Sequence, residues 1–301
     1  MNQIRRIIFK IRKRLLYLWN NIVSLFLKNS KKEIYIVSSP KYKNKVKEDL
    51  QLQRYFLKNK VYCKIVSYTD NIKNKNCLIR TVWGYHKDFD TFMNFIKNNN
   101  TINPLDIITS NSDKKKQYKL LEDNNINRIP TTFLEDGSTL KKVDNKMVIK
   151  PVLSASGDNT YLIEKEEDLA NIKNLHNIMI QPYIDNIKDG ELSLVIINGK
   201  LQYGIMRHPG VFTKYEKETF IAKEKIDNNA LNVANSILKI KEYENITYMR
   251  IDLVKDKEDY KVLELELIDP DLFIETIPDK QKRKDIYLEL ISSTLNKTGK
   301  E

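Results

Sequence analysis

The sequence predicts an α/β protein with α+β lobes, and three observations carry that expectation. Strand-like and helix-like segments alternate over residues 32–108, the pattern of a parallel sheet with helical crossovers. Downstream, apolar runs flank tight-turn residues, most plainly at Asn198-Gly199, which reads as a hairpin. Ahead of both lies a basic amphipathic segment over residues 4–27. With 301 residues, 41% hydrophobic and 31% charged, the chain can bury a sizeable core and divide into two or three lobes.

The N-terminal segment sets Ile4, Ile7, Ile8, Ile11, Leu15, Leu18, Trp19, Ile22, Leu25 and Phe26 at helical spacing. Arg5, Arg6, Lys10, Arg12, Lys13 and Arg14 cover the other faces. Residues 1–32 hold nine Lys or Arg and no acid, and the rest holds 43 Lys or Arg against 40 acids. The net charge of +12 is therefore mostly a property of the N-terminus, and no nucleic-acid partner is expected for the body. The apolar run Leu15 to Leu27 is broken by Asn20-Asn21 and falls short of the roughly 20 residues of a membrane span. No small-residue cleavage site follows it, so a signal peptide is a poor fit. Residues 1–30 can lie in an anionic membrane interface. Equally, they can pack on their own protein or on a partner subunit, which leaves a homodimer open. Cys63 and Cys77 form no CxxC, and His86, His176 and His208 are scattered. Neither a zinc site nor a disulfide framework is expected, and the default location is cytoplasmic, at the inner face of the membrane if the helix binds lipid.

Next come a strand at Glu33 to Val37, a helix over 43–59, and strands at Tyr62 to Val66 and Cys77 to Arg80. Helix 88–98 follows, and then Pro104 to Ile108. Arg80, Trp83 and Tyr85 could line a cleft, although a Trp buried beside a strand end explains that residue as well. Asn111 or Ser112 can cap a helix running to about Asn124, and Ile129 to Thr132 leaves it extended. Strand Met147 to Pro151 carries Lys150 near its end and runs into Ser154-Ala155-Ser156-Gly157-Asp158, then strand Thr160 to Ile163. Small residues let backbone N–H groups approach an anion, with Lys150 adding charge at the mouth. The same run also suits an ordinary hairpin loop. Helix 166–175, strands 178–181, 192–197 and 200–207, and helices 227–239 and 279–296 complete the pattern.

Two short strands near the end, Met249 to Val254 and Tyr260 to Ile268, flank a Lys-Asp-Lys-Glu-Asp turn. Asp252, Glu264 and Glu266 interrupt their apolar character. Alternation puts residues 264 and 266 on one face, and Asp252 can lie opposite them. Three carboxylates on one half-buried face repel unless a cation or a proton relieves them, and hard oxygen ligands suit Mg2+ bound with nucleotide phosphates. An amphipathic hairpin with solvent-facing acids is the alternative.

In order and spacing these features resemble the ATP-grasp ligases, the superfamily of glutathione synthetase, D-alanine–D-alanine ligase and the ribosomal-protein glutamate ligases. The likeness covers about residues 104–275. Asn111 to Lys114, with Leu120-Leu121 and Ile126 to Pro130, looks like the helix bringing the first nucleotide lysine. Val148 to Pro151 with Ser154 to Gly157 looks like the second lysine and a small phosphate loop. Gln181-Pro182-Tyr183-Ile184 with Gly190 to Ser193 looks like the adenine hinge and the ribose-binding acid. Arg250-Ile251-Asp252 and Glu264-Leu265-Glu266 look like a catalytic arginine and metal ligands. Leu263 through Phe273 is similar to the glutathione-synthetase-like group that includes a cycloserine-pathway ligase. The chain departs from many members at Glu266, where they carry Asn, which makes the site one charge more acidic.

The resemblance implies an ATP-grasp fold: an N-terminal helix over 1–31, a parallel-sheet lobe over 32–108, a central and lid lobe over 109–180, and a C-terminal lobe over 181–301. It implies ATP and Mg2+ as cofactors, with a small-molecule carboxylic acid and an amine as substrates joined through an acyl phosphate. Lys114 and Lys150, with Ser154, Ser156 and Gly157, are expected to hold the phosphates. Gln181, Pro182, Tyr183 and Ile184 are expected to hold adenine, and Glu191 the ribose. Asp252, Glu264 and Glu266 are the expected metal ligands. Arg250 is the expected catalytic cation, with Arg207 either a second anion contact or a surface residue. The competing expectation is a nonenzymatic peripheral membrane or assembly protein that keeps the fold to bind nucleotide. A kinase or mutase without an amine acceptor is a third.

Overall fold

The computed structural model describes residues 3–135, 145–154, 159–172, 177–209 and 215–298. Met1–Leu105, Ile246–Tyr248 and Ile268–Glu301 make one compact unit, and Asp106–Asn245 with Met249–Leu267 makes a second.

The first unit opens with helix α1 (Gln3–Phe26), then β1 (Glu33–Ser38), α2 (Lys47–Lys58), β2 (Tyr62–Ser67), β3 (Asn76–Thr81), α3 (Phe89–Lys97) and the short β4 (Asn100–Thr101). The four strands pair in parallel in the order β2-β1-β3-β4, as the alternation of elements predicts. Central strand β1 is apolar on both faces because helices cover both: Ile34, Ile36 and Val37 are fully buried. The helix expected from residue 43 begins at 47, since residues 40–45 are spent in turns and Asn44 sits at φ +60°. Cys63 on β2 and Cys77 on β3 are buried free thiols, with β1 between their strands. Trp83 is half-buried and donates to the Asp269 carbonyl at 3.2 Å, so its indole packs and bonds within this unit.

The second unit opens with α4 (Leu105–Ser112) and α5 (Lys114–Asp123). Asp113 caps α5, its carboxylate accepting from the Lys115 N–H at 2.9 Å. Neither Asn111 nor Ser112 does so, because both belong to α4; Asn111 instead brackets the Leu265 carbonyl and the Leu267 N–H, at 2.8 and 3.1 Å. Strands β5 (Thr132–Leu134), β6 (Met147–Pro151), β7 (Tyr161–Ile163) and β8 (Ile178–Pro182) form an antiparallel sheet in the order β5-β8-β6-β7. Ile149, Ile163, Ile172 and Ile178 make its core. The helix expected over 166–175 is a 3₁₀ turn over Glu166–Asn171, and its last residues lie outside the described residues.

A five-stranded sheet, β11-β10-β9-β12-β13, makes the rest of this unit. Its strands are β9 (Glu191–Ile197), β10 (Lys200–Pro209), β11 (Tyr215–Ala222), β12 (Tyr248–Asp256) and β13 (Asp259–Glu266), with α6 (Asn228–Ile237) between β11 and β12. The Asn198-Gly199 turn joins β9 to β10 with both residues at positive φ, as its dipeptide predicts. Strand β11 was not expected from the sequence.

Candidate active site

Alternation along β12 puts Arg250 and Asp252 on one face of the five-stranded sheet. The antiparallel register then sets Arg250 across from Glu266 and Asp252 across from Glu264. A bulge between Asp252 and Leu253 shifts the pairing beyond that point. The neighbouring hairpin adds a second layer: Arg207 lies across from Glu191, and Ile205 across from Ser193.

Asp252 is the hub of what results. Arg250 donates through Nε to its Oδ1 and through Nη2 to its Oδ2, each at 2.8 Å. The Ser193 hydroxyl donates to Oδ1 at 2.6 Å, and Arg207 Nη2 stands 3.1 Å from Oδ2. Arg207 also pairs with Glu191, and Arg250 Nη2 is 3.2 Å from Glu266 Oε1. Burial opposes ionisation of Asp252, but the guanidinium groups of Arg207 and Arg250 outweigh it and hold the carboxyl below the usual carboxylate range. A bidentate guanidinium clamp of this kind fixes geometry as well as charge.

Lys114, the first residue of α5, reaches the other end of the carboxylate row. Its Nζ is 2.7 Å from Glu264 Oε1 and donates to the Ser154 carbonyl at 3.0 Å. Burial works against the ionised form of Glu264, yet Lys114 and then Lys150 bring its pKa below the ordinary value. Lys150, on β6, is pushed down to about 8, chiefly by burial and also by the charge of Lys114, against the pull of Glu264. Glu266 moves the other way: burial raises it, Arg250 opposes, and the charges of Glu264 and Asp252 raise it further. The row is thus two firmly ionised carboxylates beside one that takes a proton more readily.

The donor set fits Mg2+ in kind, being carboxylate oxygens on a stiff sheet with Glu264 and Glu266 side chains 29% and 24% exposed. Among the described residues, no group of three or more His, Cys, Asp or Glu side chains stands ready to hold a metal ion by itself. Arg250, Arg207 and Lys114 are bound to the oxygens of this carboxylate row. Mg2+ commonly binds through one or two carboxylates plus substrate phosphates and water, so a prebuilt cage is not required of such a site.

At the far edge, Gln181 is buried and its amide donates to the Tyr118 hydroxyl at 2.6 Å and to Thr131 Oγ1 at 2.9 Å. Tyr118 passes the contact on to the Leu263 carbonyl at 2.9 Å. The Gln181 side chain is therefore a brace between β8, α5 and β13. Lys146 Nζ lies 4.4 Å from the centre of the Tyr183 ring. A cavity of about 500 Å3, lined by Thr131, Lys146, Met147, Ile180, Gln181 and Pro182, opens at this edge.

The structure brings Arg207, Glu191, Arg250, Asp252, Glu264, Glu266 and Lys114 into one charged face, with Lys150 acting on Glu264. Ser154 is described; Ser156 and Gly157 lie outside the described residues. Glu191, expected at ribose, is here the partner of Arg207. Sequence reasoning missed Ser193 as a site residue, although it sits two residues after Glu191 on an otherwise apolar strand and so shares its face. It also missed Tyr118 and Thr131, for which no local pattern exists.

A RimK-like ATP-grasp domain model matches residues 111–291. No curated protein matches the chain. Among solved structures it is similar to D-cycloserine synthetase DcsG, with TM-score 0.71 and 16% identity over 87% of this chain and 99% of that one. The D-alanine–D-alanine ligase from Bacillus anthracis complexed with ATP gives TM-score 0.58 and 14% identity, covering 89% of this chain and 97% of the other. A RimK-domain ATP-grasp protein from Sphaerobacter thermophilus gives 0.62 and 10%, covering 88% and 98%. At these identities the structures establish a shared fold. The domain match spans more than half of the chain and shows that it belongs to the RimK-like ATP-grasp family, as an ATP-grasp ligase.

Proposed function

We propose that the protein couples a small carboxylic acid to an amine through an acyl phosphate, releasing ADP and phosphate. One observation supports this reading above the others: each carboxylate of the Asp252, Glu264 and Glu266 row is already held by a protein cation. Bringing a substrate carboxylate against the γ-phosphate of ATP sets two anions together, and only a dense array of opposite charge makes that encounter favourable. In this reading Lys114 and Lys150 hold phosphate oxygens, and Ser154, Ser156 and Gly157 donate to the same phosphates. Gln181 to Ile184 hold adenine, and Glu191 accepts from ribose. Asp252, Glu264 and Glu266 would hold Mg2+, whose positive charge draws electron density from the phosphates as a Lewis acid.

An entering triphosphate competes with the carboxylates for Lys114, Arg250 and Arg207. The cations then turn from buried carboxylate to phosphate, and the carboxylates they leave would bind Mg2+ in their place, so no charge is left unpaired. Arg250 neutralises charge on the transferring phosphoryl group, and Arg207 steadies Asp252 or the acyl phosphate beside it. The amine then attacks the acyl carbon: the C–N bond forms as the acyl C–O bond breaks, inorganic phosphate leaves with that oxygen and its electron pair, and the proton lost by nitrogen passes to phosphate or water.

The test is ATP turnover over a panel of amino and hydroxy acids, with hydroxylamine present to intercept the acyl phosphate. ADP, phosphate and the hydroxamate of the acid are the expected products. Asp252→Ala should lower turnover at least about 100-fold, while Glu266→Asn keeps Mg2+-dependent ATP binding because the amide retains one oxygen donor. AMP and pyrophosphate as products, or an Asp252→Ala protein as active as the parent, would overturn the reading.

A further inference from the structure

Helix α1 is built like a helix with two unlike partners, only one of which is present. One face rests on its own unit. Leu16 is buried, Asn20 is fully buried with its amide donating to the Leu50 carbonyl and to Gln53 Oε1 at 2.8 Å each, and Lys13 Nζ donates to the Lys45 carbonyl at 3.1 Å. Arg54 stacks 5.3 Å from the Trp19 ring centre. The opposite face is apolar and open: Ile8, Ile11, Leu15, Leu18, Ile22 and Leu25 recur at intervals of three and four and are 43–73% exposed. Nine of the eleven large hydrophobic side chains exposed among the described residues belong to this one helix. A groove of about 1000 Å3 continues the apolar surface between α1 and α2, with Arg12, Lys47 and Arg54 on its rim.

Charge decides among occupants. Residues 1–32 carry nine Lys or Arg and no acid. The exposed Lys10, Arg12, Arg14 and Lys28 flank the apolar stripe rather than interrupt it. A second copy docking through the same face would set two cationic helices side by side with no acid in either to neutralise them. An anionic bilayer offers the complement to both features at once: hydrocarbon for the stripe and lipid phosphates for its basic margins. No helix among the described residues is long and apolar enough to cross a membrane, so the contact is one of lying on the surface.

We infer that α1 docks the protein onto an anionic phospholipid surface, its Ile8–Leu25 stripe entering the acyl boundary while its other face keeps hold of α2. The experiment is flotation of the full chain with vesicles of phosphatidylcholine alone and with vesicles of equal phosphatidylcholine and phosphatidylglycerol. Binding is expected to the mixed vesicles and to be weak on the neutral ones. It should fall as salt rises, because the Debye length shrinks to about 3 Å at 1 M, and leave a salt-resistant remainder from the stripe. Arg12→Gln with Arg14→Gln should weaken binding roughly 30-fold, at roughly fivefold per cation. Leu15→Asp with Leu18→Asp should abolish it. Both pairs are exposed, so ATP turnover serves as the control that the body is intact. Equal binding to neutral vesicles, no binding to either, or wild-type binding by the Asp variant overturns the inference. So does a dimer in sedimentation velocity without lipid that the Asp variant dissociates, which would assign the stripe to a second copy.

Discussion

Arg80 shows what a buried charge demands of its neighbours. It is fully buried on β3, pairs with Glu48 Oε1 at 2.7 Å, and lies 3.9 Å from Asp49 Oδ1. Burial pushes Glu48 up to about 8, with Asp271 adding and Arg80 opposing, and pushes Asp49 up to about 6 against the pull of Arg80. Both folded values lie above the roughly 4 of an unfolded acid. The folded chain therefore binds more protons than the unfolded chain between about pH 4 and about pH 8, and this contribution is full below that window and is lost as pH rises through it. Urea unfolding followed by the fluorescence of Trp19 and Trp83, both in this unit, should shift to lower midpoints from about pH 5 to about pH 8. Glu48→Gln removes the titration while its one amide oxygen can still accept one of the two hydrogen bonds that Arg80 and the Ile274 N–H donate to the carboxyl, so the upper part of that slope should flatten. An unchanged slope in the variant would show that other groups set it. At this scale the sequence was legible in the β12/β13 hairpin, where Asp252 and Glu264 break apolar strands, but not at Arg80, which it offered to a cleft and which is buried against Glu48. It was silent where two polar side chains meet from distant segments: Gln181 and Tyr118 are 63 positions apart, and nothing local in either marks the other.

Among elements, hairpins with alternating patterns and turn dipeptides were the most readable. The β12/β13 register followed from period-two alternation, which fixes the face of every side chain once one is placed. Strand β11 escaped because it is an edge strand whose described side chains from Lys217 to Thr219 are exposed and charged or polar, the composition that keeps an edge from pairing further. Helix α4 escaped because the run Thr109-Ser110-Asn111-Ser112 reads as turn or cap, and Ser110 and Ser112 do donate to the nearby Ile107 and Thr109 carbonyls. One glycine decides how β9 begins. Gly190 sits at φ +125°, where a Cβ would meet Met206 Sδ at 2.7 Å and the Arg207 carbonyl at 3.3 Å. Gly190→Ala should cost about 1–3 kcal/mol through backbone strain and displace Glu191 from Arg207. The effect should appear as a lower denaturation midpoint by far-UV circular dichroism together with a raised KM for ATP. A variant with parent stability and KM would show that the turn has room.

For the whole molecule, the division into two units sorts the chemistry. Every residue assigned above to nucleotide or metal lies in Asp106–Asn245 or Met249–Leu267, while the Arg80 cluster and α1 lie in the other unit. The chain passes between units at four points, after Leu105, Asn245, Tyr248 and Leu267, and Leu105 and Tyr248 are the first residues of α4 and β12. Pro104 and Pro270 stand near two of these crossings, but none runs through a Gly- or Pro-rich stretch of the kind that marks a linker. A ligand that binds only the folded form stabilises it by about 2.7 kcal/mol at 100 times its Kd. That free energy goes first to whatever must open to expose the site. Saturating Mg2+ and ATP should therefore slow amide exchange most in β6, β12 and β13, and in α5 around Lys114. Protection in β1, β3 and α2 should change far less. Hydrogen exchange read by mass spectrometry, with and without nucleotide, separates the two sets of peptides directly. The Asp252→Ala protein supplies the control, since its exchange should ignore Mg2+ if the carboxylate row is what the ion recognises. Protection concentrated in the parallel sheet instead would place the nucleotide outside the second unit and remove the assignment of Lys114 and Lys150 with it.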